Sequence, residues 1–430
     1  MSGCVLKKNN TPPCGHPSRR GELTSLWTWF SNHQPSTDNQ QPTTNNQQPT
    51  PHLFVLTNAF PYFYHLNNLL LPQNENIRIV QLIDSLEPGG AERMAVNWAN
   101  AFAEKEWFSG IIATRAEGTL QTTLASAVAY LYLNRTKLID FKAWSKAAKY
   151  LKKNSVTHLQ AHGASLFFAV LLKVTRPSVK IIWHDHLGNR HANKRGNFSI
   201  QLLSFFVARV VVVNEALEQW AKKQLWCKNI QMIANFATPT KEVATTFLKG
   251  CDGKRIVCLA NLKAPKNHIF ILQNFYESGI HQQGWTLHFI GKDFKDDYSQ
   301  QLENYSSEKD LQTIVYRYGS CADTLHILSQ AKAGVLGSTY EGFPVVLLEY
   351  GLANLAVIAT DVGYNSHLIQ TDQTGWLIPS NENESAVNAF KELANDPKKS
   401  NTLANNLKAL VWANYAKEKV VQELIDFIKK

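Results

Sequence analysis

The chain has 430 residues, 44% of them hydrophobic and 18% charged. That balance can bury a core, at about 100–200 residues per domain two or three of them, and it excludes a wholly disordered or collagen-like protein. Lys and Arg total 44 against 34 Asp and Glu, a formal net charge of +10 that favours anionic partners: phosphates, nucleic acid or an anionic membrane surface.

Residues 1–76 stand apart. The stretch 36–51 reads STDNQQPTTNNQQPTP, a Gln/Asn/Pro/Thr near-repeat of a composition that cannot bury enough apolar surface to offset ordering. Residues 53–71 are apolar and aromatic, with Phe54, Phe60, Tyr62, Phe63 and Tyr64. They read as a docking segment or as an upstream extension with no role in the fold. The start has no apolar run of secretory type, and no apolar run along the chain reaches membrane-spanning length. Six cysteines show no C-x-x-C spacing, which fits a reducing, cytoplasmic setting and argues against a structural zinc site.

Order begins near Ile77. IRIVQLID (77–84) reads as a strand, SLEPGGAE as a Gly-containing turn, and 93–104 as an amphipathic helix. Further strands are expected at 110–114, 156–161, 180–183 and 209–213, with helices at 141–153, 165–175 and 197–208 between them. Alternation of strand and helix implies a parallel sheet with ligands at the strands' carboxyl ends. After a break at 236–252 the pattern restarts. Strands are expected at 255–260, 286–290, 313–316, 333–337, 356–359 and 376–378. Helices are expected at 267–277, 324–330, 344–353 and 385–396, with a last one over 415–430. Two such α/β domains facing each other favour a ligand held between them.

The most informative segment is STYEGFPVVLLEYG (338–351). Pro344 suits a first helical position, because its missing N–H would be unpaired there anyway. The amides of Val345 and Val346 then point out of a helix N-terminus, a site suited to a diphosphate. Gly342 permits close backbone approach, and Phe343 lies between it and the helix. Glu349, a turn and a half inside the helix, is placed to accept both hydroxyls of a ribose. Glu341, on the loop, is placed to accept hydroxyls of a sugar at the other end. A bland alternative is a helix start with an acidic flank and a buried, paired Glu.

EGFPVVLLE, two Glu separated by seven residues, resembles the E-x7-E signature of retaining glycosyltransferases of family 4. Six other segments resemble that family in its order and spacing. EPGGAER (87–93) is similar to its Gly-Gly loop, LQAHGASLFFAVLL (159–172) and IIWHDHLGNR (181–190) to its His-bearing strands, and VVVVNEAL (210–217) to the strand closing its first domain. CLANLKAPKNHIFIL (258–272) is similar to the segment carrying its lysine, and AVIATDVGYNSHLIQTDQTGWLIP (356–379) to the stretch after the motif. The resemblance covers about 77–430.

It implies a GT-B fold: two Rossmann-like domains, 77–243 for the acceptor and 244–414 for the nucleotide-sugar, with 1–76 a low-complexity extension and 415–430 a helix packing back on the first domain. It also implies transfer of a sugar from a UDP- or GDP-linked donor with retained anomeric configuration. Glu349 then binds ribose, Glu341 contacts the donor sugar, and Lys266 neutralises the departing diphosphate. Gly89 and Gly90 let backbone approach the donor. A fixed cation with helix-end amides supplies the charge stabilisation, so no metal and no cofactor is expected. Two positions depart from the family. Asn261 stands where an arginine is usual, leaving Lys263, a point charge rather than a bidentate fork. His367 stands where a Glu is frequent.

His184 matches the family's active-site His, which contacts the donor sugar. His162, His186 and Arg190 are further acceptor-side candidates. Strand-end histidines are often structural, and H-D-H alone is weak support for a metal. Asp185 as a covalent nucleophile is a weaker alternative. The helix at 141–153 carries Lys142, Lys146, Lys149, Lys152 and Lys153 with Trp144 and Tyr150, and His191, Lys194 and Arg195 follow the second His strand. This reads as a solvated face or as peripheral contact with the inner face of a cell membrane; nothing resembles a nucleic-acid-binding motif. The reading is a glycosyltransferase acting on a glycan or lipid-linked acceptor in surface polysaccharide or lipopolysaccharide assembly. The alternatives are a degenerate binding subunit of the same fold, a sugar-nucleotide epimerase or a phosphorylase.

Overall fold

The computed structural model describes residues 77–187, 190, 197–238 and 243–430. The expectations for 1–76 and for His191, Lys194 and Arg195 lie outside the described residues.

The first lobe runs β1 (Arg78–Ser85), α1 (Gly90–Glu104), β2 (Phe108–Ala116), β3 (Ala129–Tyr132), α2 (Phe141–Lys153), β4 (His158–His162), α3 (Leu166–Thr175), β5 (Lys180–Asp185), α4 (Asn197–Ser204), β6 (Arg209–Val212), α5 (Glu215–Gln224) and β7 (Ile230–Met232). Its strands pair in parallel in the order β3-β2-β1-β4-β5-β6-β7. The central strands read as near-continuous apolar runs because helices cover both faces of such a sheet. α2 and α5 start where a side chain can serve the first amides: Asp140 accepts from Ala143 N at 3.0 Å, and Asn214 from Leu217 N at 2.8 Å.

The second lobe runs β8 (Arg255–Leu259), α6 (His268–Glu277), β9 (Thr286–Ile290), α7 (Asp297–Glu308), β10 (Val315–Arg317), α8 (Thr324–Ser329), β11 (Ala333–Leu336), α9 (Val345–Leu352), β12 (Ala356–Thr360), α10 (Asn365–Leu368), β13 (Trp376–Ile378), α11 (Asn383–Asn395), α12 (Pro397–Tyr415) and α13 (Lys417–Lys429). Its sheet is also parallel, in the order β10-β9-β8-β11-β12-β13. Strand order reverses between β1 and β4 in one sheet and between β8 and β11 in the other. Those are the positions where an open parallel sheet leaves a crevice at its carboxyl edge.

The lobes are packed on each other. One apolar core continues from Trp98 and Phe102 of α1 through Phe236 to Phe343, Leu347 and Leu348. Amides tie the lobes as well: Asn214 Nδ2 donates to Gly342 O and Asn235 Nδ2 to Phe343 O, both at 3.1 Å. The last helix, α13, leaves α12 at Ala416 and lies on the first lobe. Arg209 donates to Phe427 O there, and Gln231 Nε2 donates to Glu423 at 2.9 Å. Among the described residues no helix is long and apolar enough to cross a membrane.

Several expected boundaries move. β5 continues to Asp185 instead of ending at 183, and α9 starts at Val345 with Pro344 as its cap in extended conformation. Pro344 therefore stands one position before the helix, and its carbonyl accepts from Leu347 N at 3.2 Å. The amides of Val345 and Val346 remain the leading donors of α9.

Candidate functional site

Two cavities meet in the cleft. The larger, of about 710 Å³, has walls from both lobes, among them Trp183, His186, Arg190 and Gly342. The smaller, of about 310 Å³, lies over the β8–β11 crevice and is lined by Gly89, Lys263, Pro344, Val345, Val346 and Glu349, among others. Gly90, Lys266, Glu341 and Phe343 line both. The junction of the cavities is therefore built from the turn after β1, the loop after β8 and the loop after β11.

Each loop is held in place. Lys266 ends a single helical turn, Ala264–Lys266, and Asn267 follows at φ 53° before α6 begins. Its Nζ lies 2.6 Å from Glu341 Oε1, which also accepts from Ser338 Oγ at 2.6 Å. Behind Glu341 sits Gly363, at φ +57°, where a Cβ would come within 1.9 Å of Glu341 O. Only glycine allows this approach, so the β12–α10 turn buttresses the Glu341 loop. Phe343 stacks on Tyr364 with ring centroids 4.6 Å apart. Gly342, whose carbonyl is tied to Asn214, leads into it. Lys263 has its ammonium 4.7 Å above the Phe294 ring. Glu349 projects from the second turn of α9, with Arg93 Nε of the first lobe 3.7 Å away.

The histidines differ from their expected roles. His184 lies within β5, is fully buried and lines neither cavity, so it is not placed to touch a donor sugar. Because β5 runs two residues further than expected, the first residue beyond the strand is His186, and His186 lines the larger cavity. His162 is 1% exposed and also lines neither. It lies behind His186. With Gln81 Oε1 as acceptor, His162 Nε2 donates at 2.8 Å. His162 Nδ1 then accepts from His186 Nε2 at 2.9 Å. That fixes the His186 tautomer, with Nδ1 left as an acceptor, and Nδ1 is buried with no hydrogen-bond partner. Replacing His186 with Ala changes the wall of the larger cavity and leaves the buried His162 Nδ1 without its partner, and it is expected to lower kcat/KM roughly tenfold. Nucleotide affinity is expected to stay unchanged, and steady-state kinetics beside nucleotide titration separates the two.

The three imidazoles bring possible ligand nitrogens within 4.8 Å of one another, the one such grouping found among the described residues. The H-D-H run in the sequence offers His184, Asp185 and His186 instead. As arranged, the rings stack, with His184 and His186 centroids 4.1 Å apart and planes at 24°. Nitrogens in near-parallel stacked planes do not converge on one point, and both His162 nitrogens are already bonded.

Burial holds all three imidazoles neutral: His162 and His184 fall well below the ordinary His range, and His186 to about 3. Burial likewise lowers His268 and His158 to about 4 and His288 to about 3. The unfolded chain takes up these protons near pH 6.5 while the folded chain refuses them. Stability is therefore full above about pH 6.5 and falls as pH drops toward 4, by up to about 1.4 kcal/mol per pH unit for each such group. A melting temperature that declines steadily from pH 7 to pH 5 is the expected result; a flat profile would contradict it.

Asp185 is fully buried, and Arg190 grips its two oxygens at 2.5 and 2.8 Å. It is structural, and it carries Arg190 on the cavity wall. Asn261 offers no charge: Nδ2 donates to Pro88 O at 2.6 Å and Oδ1 accepts from Lys292 N at 2.8 Å. His367 stacks on Tyr364 and lines neither cavity.

Two family profiles match. Glycosyltransferase Family 4 matches residues 88–241, and Glycosyl transferases group 1 matches 246–410. An uncharacterized glycosyltransferase of Haemophilus influenzae is 22% identical over 346 residues, 78% of this chain and 95% of that one. The UDP-Gal:alpha-D-GlcNAc-diphosphoundecaprenol alpha-1,3-galactosyltransferase of Escherichia coli is 27% identical over 123 residues, 29% of this chain and 32% of that one. Among solved structures, Anabaena Alr3699/HepE in complex with UDP and glucose superposes with a TM-score of 0.67 at 16% identity, covering 82% of this chain and 99% of that one. The fold is GT-B.

Proposed function

The chain is a GT-B glycosyltransferase, with the Glycosyltransferase Family 4 profile on its first lobe and the Glycosyl transferases group 1 profile on its second, and from that premise we propose that it transfers a hexose from a UDP-sugar, with retention, to a glycan or lipid-linked acceptor. The observation that carries this reading is the junction of two cavities at Lys266, Glu341 and Gly90. In this reading the nucleotide occupies the smaller cavity. Its ribose hydroxyls donate to Glu349, and its diphosphate meets the Val345 and Val346 amides and Lys266. The sugar lies at the junction against Glu341, and the acceptor enters from the larger cavity past His186. The bond from the sugar's C1 to the phosphate oxygen breaks as the acceptor oxygen bonds to C1. The acceptor's proton leaves with the diphosphate. Charge builds on the leaving group, where a fixed ammonium and helix-end amides stabilise it without metal.

The names of two relatives favour uridine and a lipid-linked acceptor: one is described in complex with UDP and glucose, the other as a transferase from UDP-Gal to a diphosphoundecaprenol-linked sugar. The exposed lysines of α2, Lys142, Lys146, Lys149, Lys152 and Lys153, favour contact of the first lobe with an anionic surface. Surface polysaccharide or lipopolysaccharide assembly at the inner face of the membrane fits both. The test is release of nucleoside diphosphate from a panel of UDP-, GDP- and ADP-hexoses, with and without EDTA. Turnover of UDP-hexoses that EDTA leaves unchanged supports the reading. Turnover of none of them, or a strict metal requirement, overturns it.

A further inference from the structure

Arg93 is a cation of the first lobe that lines the nucleotide cavity of the second. It is the fourth residue of α1, with its backbone N–H donating to Gly89 O at 2.8 Å. A guanidinium there opposes the helix dipole, a local cost that requires an offset elsewhere. The offset on view is Glu349, 3.7 Å away, with both side chains less than one-fifth exposed (16% and 17%). Arg93 thus sits on the carboxylate assigned to ribose.

Charge balance gives it a second partner. The charged side chains lining the smaller cavity are Arg93, Lys263, Lys266, Glu341 and Glu349. Lys266 is already held by Glu341, and the Lys263 ammonium lies over Phe294. Without Arg93 the two ammoniums face two carboxylates, a neutral lining for a multiply charged diphosphate. Asn261 brings no charge, since its amide spans from Pro88 to Lys292.

We propose that Arg93 is a donor-binding residue supplied across the cleft. When ribose hydroxyls take the Glu349 oxygens, the guanidinium turns from that carboxylate to the diphosphate. The nucleotide site is then complete only with the lobes together, so donor binding and cleft closure are coupled through one side chain. This inference rests on the donor-site reading above.

The test is calorimetric titration of UDP into the full chain and its Arg93→Gln and Arg93→Lys variants at low and high salt, with uridine measured by competition. A charge-assisted contact to phosphate predicts that Arg93→Gln weakens UDP by about tenfold or more, whereas Arg93→Lys weakens it less. The salt dependence of UDP affinity flattens in Arg93→Gln, and uridine binds no more weakly than to the wild type. If Arg93→Gln binds UDP as the wild type does, or loses UDP and uridine in equal proportion, the inference fails and the donor site stands. If the wild type binds no UDP, the donor-site reading fails with it.

Discussion

Lys266→Met is expected to lower kcat on the order of 10²–10³-fold, the cost of removing one fixed stabiliser of a developing anion. Lys266 lines both cavities, and its ammonium lies 2.6 Å from Glu341. Its removal also leaves Glu341, only 10% exposed at its side chain, without a cation, which costs about 1–3 kcal/mol of stability. The control is Lys266→Met with Glu341→Gln. The amide needs no cation and can still accept from Ser338, so the double variant is expected to regain the wild-type melting temperature without regaining turnover. Recovery of turnover together with stability would make the pair a structural strut.

Gly90→Val is expected to abolish transfer while leaving the chain as stable as the wild type or more so. Gly90 is the first residue of α1, and a Cβ built on it meets nothing within 4 Å. Replacing glycine with valine in a helix typically stabilises by a few tenths of a kcal/mol, about 0.3. The new side chain stands at the junction of the cavities, the position proposed for the sugar. Loss of activity with a melting temperature at or above the wild type's supports that placement; full activity would reduce Gly90 to a turn residue.

Most strands with buried faces were legible in the sequence because apolar residues dominate them, with few polar interruptions such as Gln81 in β1 and His288 in β9. β3 and β7 were not: both are edge strands with half-exposed residues throughout, so neither shows an apolar run or a clean alternation. α7 was missed because it buries only Ser299 and Leu302 of its twelve residues. The polar α5, in which Leu217, Trp220 and Ala221 are buried, was missed for the same physical reason. Tertiary packing, not propensity, makes these elements.

At the site, the loops of the second lobe were readable, since Gly, Pro and Glu at fixed spacing carry their own geometry. The His-bearing strands were not, because the error was a length. His184 pairs with His162 and Val211 inside the sheet, and that two-residue extension puts His186 rather than His184 on the cavity wall. Arg93 was visible only as a cation at a helix start, in a segment read for its glycines. Its partner is 256 positions away by number, Glu349 against Arg93, a distance no local pattern spans.

The measurement that tests the central claim most directly is a crystal structure of the chain with UDP bound. The account predicts diphosphate oxygens within hydrogen-bond distance of the Val345 and Val346 amides, and ribose hydroxyls on Glu349. Uridine placed in the larger cavity, or ribose held by groups other than Glu349, would contradict it.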